Sequence, residues 1–171
     1  MPESGDVLLR PRRRKLYRLR PTALVLVAFA AILFQVYVPL FVQQLAYLEF
    51  PLLVTVYFSL MRREPVAGVL IGASIGLLQD SLSHNPLGMF GIVKTLVGYF
   101  AASVSQRFDV QNMTIRFVLG FFFFFFHQFF YWVLASALLG QPVVFDFVQT
   151  LVFGVLNAAV AAPLFHVLDK L

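Results

Sequence analysis

The sequence predicts an all-α integral membrane protein, a compact bundle of six transmembrane helices with both termini in the cytoplasm. Of its 171 residues, 60% are hydrophobic and only 12% are charged, and the mean hydropathy is +0.85. A soluble domain of this size could not cover so much apolar surface, whereas a membrane helix needs about 20 largely apolar residues. Such stretches recur at about residues 22–42, 45–61, 66–82, 87–104, 115–139 and 147–168.

The polar N-terminus, residues 1–21, is predicted to be a basic cytoplasmic tail ahead of a single membrane domain, residues 22–171. Seven of the 13 Lys and Arg residues precede residue 21, among them Arg12, Arg13, Arg14 and Lys15. Because cytoplasmic segments are enriched in these residues, they place the N-terminus inside. The same charges could bind anionic lipid headgroups of the inner leaflet. A nucleic-acid partner is not expected, since no folded module presents the charges.

The remaining basic residues favour the same orientation. They fall on alternate connections and at the C-terminus, while the predicted outer loops (about 43–46, 83–86 and 140–146) contain no Lys or Arg. Twelve of the 13 basic residues then lie on the inner side, including Arg62, Arg63, Arg107, Arg116 and Lys170. This alternation is what the positive-inside rule predicts for six spans.

The second apolar stretch is the least certain span, because Glu49 and Pro51 interrupt it. It could instead be a re-entrant element that lines a cavity. That alternative would place Arg62 and Arg63 outside, against the pattern of the other loops.

The third stretch carries small residues on one predicted helix face. Gly68, Gly72, Gly76 and Asp80 follow one another at steps of four, and the fourth stretch adds Gly98. Small residues at this spacing let two helix backbones approach closely in a membrane. They predict either packing within this chain or a contact surface for a partner.

Ionisable side chains within a membrane are costly and are often functional. Lys94 lies inside the fourth stretch, and Glu49 and Asp80 are the acidic residues close enough in predicted depth to pair with it. A buried charge pair, a ligand contact and a side chain reaching the interface all remain open. Asp80 and His84 are four residues apart, but two ligands before a predicted turn do not make a metal site. No metal or cofactor is expected.

An enzyme is not predicted. The segment Gly72-Ala73-Ser74-Ile75-Gly76 matches the G-x-S-x-G pattern of serine hydrolases, yet that motif requires a strand before the serine, and here it lies within a helical stretch. An intramembrane hydrolase using Ser74 and His127 is the enzyme alternative. The absence of cysteine from the sequence excludes disulfides and thiolate metal sites.

The third and fourth stretches together resemble a known family. Gly68, Gly72 and Gly76 continue into Leu77-Leu78-Gln79-Asp80, and Pro86-Leu87-Gly88 and Gly98-Tyr99 follow. With a basic N-terminus and six short helices, this pattern resembles the bacterial rod shape-determining protein MreD family. The resemblance covers most of the chain from about residue 24, and its specific part lies between residues 68 and 99.

The resemblance implies a non-catalytic inner-membrane subunit of the complex that directs peptidoglycan synthesis during cell elongation. The implied partners are MreC, as the most direct contact, and MreB, RodA and its penicillin-binding partner. The positions that match the family pattern, for packing or for partner contact, are Gly72, Gly76, Asp80, Pro86 and Gly88. The pattern is also similar to the substrate-binding subunits of energy-coupling factor vitamin transporters. A transporter subunit is therefore the alternative function.

Overall fold

A computed structural model describes residues 21–83, 86–140 and 144–170. This part of the chain forms six α-helices and contains no β-strand, which confirms the predicted fold class. The helices are α1 (Pro21–Tyr37), α2 (Phe50–Arg62), α3 (Pro65–Leu82), α4 (Met89–Val104), α5 (Met113–Leu139) and α6 (Phe147–Leu168).

Within these described ranges, five segments are long and apolar enough to cross a membrane. They are Pro21–Leu40, Leu45–Arg62, Pro65–Leu82, Met113–Leu138 and Phe147–Leu168. The helix α4 is also apolar but has only 16 residues, about 24 Å at 1.5 Å per residue. The orientation of the bundle remains a prediction from the distribution of basic residues.

The centre of the bundle is α2. Every residue from Pro51 to Met61 is buried, and α2 packs against α1, α3, α4, α5 and α6. The other helices therefore enclose α2. The helix ends at Arg62, and the next residue, Arg63, adopts a left-handed conformation with φ of 56°. Pro65 then starts α3 in a position that favours proline.

Two short 3₁₀ turns, Val38–Leu40 and Gln43–Tyr47, connect α1 to α2. The second predicted span is therefore irregular at its start and helical only from Phe50. From there α2 is continuous to Arg62 and does not reverse direction, unlike a re-entrant hairpin. With 13 residues it is about 20 Å long, and with the preceding turn it belongs to the candidate membrane segment Leu45–Arg62.

Helices α3 and α4 pack most extensively against each other, and α5 packs against α6. Small residues also mediate the second pair. Gly120 of α5 lies against Ala158 and Ala161 of α6, and Gly154 of α6 lies against the rings of Phe121 and Phe124. The phenylalanine run in α5 thus has a buried side, with Phe123 and Phe124 almost inaccessible, and an exposed side that includes Phe122.

Candidate functional site

Three glycines of α3 lie directly against the backbone of α4. A Cβ atom added to Gly68 would collide with the carbonyl of Gly98, and one added to Gly72 would collide with the carbonyl of Lys94. Gly76 has the same relation to the carbonyl of Phe90. The partners of successive glycines run backwards along α4, so the two helices are antiparallel. Their close approach follows from the absence of side chains at these positions.

Because α4 covers this glycine face, the face packs within the chain. Gly98 is part of the same contact from the other side, since its own Cβ would meet the carbonyl of Gly68. Another side of α3, with Val66 and Leu70, is exposed. An external partner of α3 would therefore meet these larger side chains.

Asp80, at the end of the glycine face, binds the start of α4. Its carboxylate accepts hydrogen bonds from the backbone N–H groups of Gly88 (2.9 Å), Phe90 (3.1 Å) and Gly91 (3.0 Å). The first N–H groups of a helix have no partner within the helix, and their partial positive charge favours an anion. Asp80 is 1% exposed, so these three bonds compensate for the burial of its charge.

Pro86 and Gly88 shape the turn that brings these N–H groups to Asp80. Gly88 has φ of 96°, a left-handed conformation that costs other residues about 1–2 kcal/mol. No atom lies within 4 Å of a Cβ built on Gly88. Glycine is therefore required here by the backbone conformation and not by lack of space.

Lys94 is fully buried on α4 and contacts three side chains. Its Nζ lies 3.8 Å from Oε2 of Glu49, 3.3 Å from Nε2 of His127 and 4.2 Å from the ring centre of Phe90. The contact with Glu49 is an ion pair that is too long for a hydrogen bond. We call Glu49, Lys94 and His127 the polar centre.

The contact with Lys94 determines which nitrogen of His127 carries the proton. An ammonium group only donates, so Nε2 must accept and Nδ1 must hold the hydrogen of a neutral ring. His127 is fully buried. Within the described residues neither its Nδ1 nor Oε2 of Glu49 has a hydrogen-bond partner. Among the described residues, therefore, one donor and one acceptor of the polar centre have no hydrogen-bond partner.

Two side-chain amides hold the backbone on either side of Glu49. Asn157 of α6 accepts from the N–H of Glu49 (2.9 Å) and donates to the carbonyl of Tyr47 (2.8 Å). Gln35 of α1 donates to the carbonyl of Ala46 (3.2 Å) and accepts from the N–H of Phe50 (3.3 Å). Irregular backbone within a membrane is tolerated where protein groups satisfy it in this way.

Polar side chains from five helices and from the residue before α2 thus meet in this region. Sequence reasoning identified Glu49, Asp80 and Lys94, and the structure brings Glu49 to Lys94 while Asp80 binds the backbone of α4. It did not identify Gln35 or Asn157, nor the contact between His127 and Lys94. Gln35, His127 and Asn157 each interrupt an apolar helix, and a polar side chain in such a helix needs a partner. This position was the sequence feature that could have identified them.

A second buried polar cluster joins the far end of α2 to the C-terminus. Arg116 of α5 donates to Asp169 (Nη1 to Oδ2, 2.6 Å) and to the carbonyl of Val110 (2.7 Å). Tyr57 of α2 donates to the other carboxylate oxygen of Asp169 (3.0 Å). In the sequence, Arg116 indicated only that the connection near it lies on the inner side. Asp169 lies 53 residues from Arg116 and 112 from Tyr57, separations that no local pattern reveals.

The remaining candidates do not form a catalytic or metal site in the described part of the chain. Ser74 lies in the middle of the continuous helix α3 and is exposed, whereas His127 is enclosed in the polar centre. Among the described residues no group of three or more His, Asp or Glu side chains could hold a metal ion. His84 and the basic residues Arg12, Arg13, Arg14 and Lys15 lie outside the described residues.

Comparison with known families gives one result. The family model described as rod shape-determining protein MreD matches residues 13–171, nearly the whole chain. No curated protein and no solved structure shows a significant match.

Proposed function

The chain belongs to the MreD family of rod shape-determining proteins of the bacterial inner membrane, and we propose that it is a non-catalytic subunit through which the rod complex assembles. The observation that carries this proposal is the match over residues 13–171, which includes all six helices. In this role the protein binds MreC and helps to direct lateral peptidoglycan synthesis together with MreB, RodA and its penicillin-binding partner. The basic tail binds anionic lipids at the inner leaflet.

The distribution of contacts supports binding through outward-facing helix surfaces. The glycine face of α3 is occupied by α4, and α2 is enclosed, so neither offers a surface to a partner. Helix α1 packs mainly against α2 and α3 and leaves Val25, Leu26 and Phe29 exposed. Helix α6 leaves Val152 and Val155 exposed in the same way. Partner helices in a membrane associate by packing on faces of this kind.

Purification of the tagged protein from native membranes, followed by mass spectrometry, tests the proposal. We expect MreC and RodA to co-purify, and we expect depletion of the protein to turn rod-shaped cells into spheres. Retention of rod shape after a clean deletion would contradict the function. Recovery of the energizing subunits of a vitamin transporter in place of MreC would favour the alternative function.

Tryptophan substitutions at exposed positions can then locate the partner surface. Val25→Trp and Phe29→Trp alter one outward face, and Val152→Trp and Val155→Trp provide a matched pair on another. Loss of MreC from only one pair of variants would identify the face that it contacts. If all four variants retained MreC and rod shape, the partner would bind neither face.

A further inference from the structure

Side-chain amides tie the segment that leads into α2 to the helices around it. We call residues 38–49 the entry segment. It consists of the two 3₁₀ turns and the residues up to Glu49, and its last part is held by Gln35, Asn157 and the polar centre. The ring of Tyr47 also stacks on Phe153 of α6 at 3.8 Å between centroids. Its own backbone hydrogen bonds, such as Leu45 N–H to the carbonyl of Val42 and Leu48 N–H to that of Leu45, close only short turns. We therefore expect this segment to be easier to displace than the continuous α-helices around it.

Glu49 is the charged contact of this segment with the rest of the bundle. Its carboxylate faces Lys94, and its own helix begins at the next residue. The side chain of Glu49 is 13% exposed, while that of Lys94 is inaccessible. A proton from solvent therefore reaches the carboxylate more easily than the ammonium. Oε2, the oxygen nearest Lys94, is itself inaccessible and has no hydrogen bond from the described residues, so its ion pair with Lys94 is the contact that offsets its burial.

The groups around the carboxylate determine what happens when it is neutralised. Asp80 on α3 acts on Lys94 electrostatically, but its oxygens are bound to the backbone of α4. On α5, His127 contacts Lys94 and is neutral, and Tyr131 lies within the electrostatic reach of Glu49. The side chains from α1 and α6, Gln35 and Asn157, carry no charge. Glu49 is thus the charge in direct contact with the ammonium.

We propose that Glu49 and Lys94 form a proton-operated latch that holds the entry segment against the bundle. Transfer of a proton from water to the carboxylate of Glu49 removes the negative charge next to Lys94. A buried ammonium that has lost its partner is strongly disfavoured, so the closed arrangement loses stability relative to one in which the entry segment moves away and water reaches Lys94. The conformational change is confined to the entry segment, because the glycine contacts between α3 and α4 do not involve it.

Distance measurements between spin labels on the purified full-length protein in lipid nanodiscs test the latch. The sequence has no cysteine, so labels can be attached at introduced cysteines without further changes. Phe41→Cys lies on the entry segment and Leu87→Cys on the turn before α4, and both positions are more than three-quarters exposed. Val66→Cys and Val167→Cys, on α3 and α6, form a reference pair.

In the wild-type background we expect one distance population between positions 41 and 87 at neutral pH and a second, longer one at acidic pH. Glu49→Gln should show the longer population at both pH values, and the reference pair should not change. His127→Gln keeps an acceptor for Lys94 but does not titrate, so it should retain the pH response. The same distribution at both pH values in the wild type would overturn the proposal. So would a pH response that survived in Glu49→Gln or was lost in His127→Gln.

A second measurement leaves the pair intact, in case Glu49→Gln does not fold. Leu48 is 8% exposed, so Leu48→Cys should react slowly with a water-soluble maleimide while the segment is closed. Its rate, divided by that of the exposed Leu87→Cys at the same pH, should rise on acidification. A constant ratio would overturn the proposal. Neither measurement involves a partner protein, so both are independent of the proposed function.

Discussion

A single carboxylate joins the end of α3 to the start of its neighbour. Asp80 accepts three backbone N–H groups of the turn and first residues of α4. The matching residues Pro86 and Gly88 shape the turn that presents those groups. The family pattern between residues 80 and 88 therefore has a structural explanation: acid, turn and left-handed glycine form one unit.

The first prediction concerns this carboxylate. Asp80→Asn has one acceptor oxygen in place of two and no charge, so we expect it to lower the free energy of unfolding by about 2 kcal/mol. Thermal unfolding in detergent measures the effect. Asp109→Asn is the matched control, since Asp109 is exposed and accepts a hydrogen bond from the N–H of Gln111 in its own turn. Equal stability of the two variants would contradict the assigned role.

The second prediction concerns Arg116, which is 3% exposed. Arg116→Met leaves Asp169 and the carbonyl of Val110 without their cationic donor, and we expect a loss of about 3 kcal/mol. Arg107→Met removes an exposed arginine at the same end of the bundle and should change stability by less than about 0.5 kcal/mol. Chemical unfolding of both variants in the same detergent gives the comparison. A small effect of Arg116→Met would show that the cluster is dispensable.

At the scale of the helices, the pairing of α3 with α4 was within reach of sequence reasoning, and the path of α2 was not. Gly68, Gly72 and Gly76 follow a spacing that places them on one face, and the structure packs that face against α4. The 3₁₀ turns before Phe50 depend on Gln35 and Asn157, which are distant along the chain. A local pattern cannot indicate which remote amide will satisfy a carbonyl, so the start of α2 could only be located in the folded chain.

The third prediction tests the packing of this helix pair. Gly72→Ala places a methyl group where the carbonyl of Lys94 lies, so the helices must separate, at a cost of about 1–3 kcal/mol. Because Lys94 then shifts, its contact with Glu49 should weaken as well. Ser74→Ala alters an exposed position on the same helix and should be neutral in both stability and cell shape. A loss of rod shape in Ser74→Ala alone would revive the hydrolase alternative.

For the complete bundle, the amino-acid composition was sufficient to predict the fold class but not to predict the polar centre. An apolar chain with few charges predicts a helical membrane bundle, and the six helices follow the six apolar stretches within a few residues at most boundaries. The polar centre depends on which helices are neighbours in space. Lys94 and Glu49 were recognised as possible partners because both interrupt apolar stretches. His127 could not be assigned to them without the packing of α5 against α4.

The fourth prediction concerns orientation, which rests on the basic residues alone. If both termini are cytoplasmic, a fluorescent protein fused after Leu171 should fluoresce, and alkaline phosphatase fused there should be inactive. Alkaline phosphatase inserted after Val144, in a predicted outer loop, should be active because it folds only outside the cytoplasm. The reverse pattern would show that the positive-inside rule fails for this chain.

The enclosure of α2 has a consequence for how the protein is made. The ribosome completes α2 before α3, α4, α5 and α6, which later cover most of its surface. Three polar side chains of α2, those of Thr55, Tyr57 and Ser59, are buried in the finished bundle. Before the later helices are synthesised, these side chains are not yet covered by them. A helix of about 20 Å is shorter than the hydrocarbon core, and its polar groups make it unstable when it is surrounded by lipid alone. We therefore expect insertion of α2 to be completed only when the later helices have been synthesised, and a chain truncated after α2 to be degraded rather than remain in the membrane.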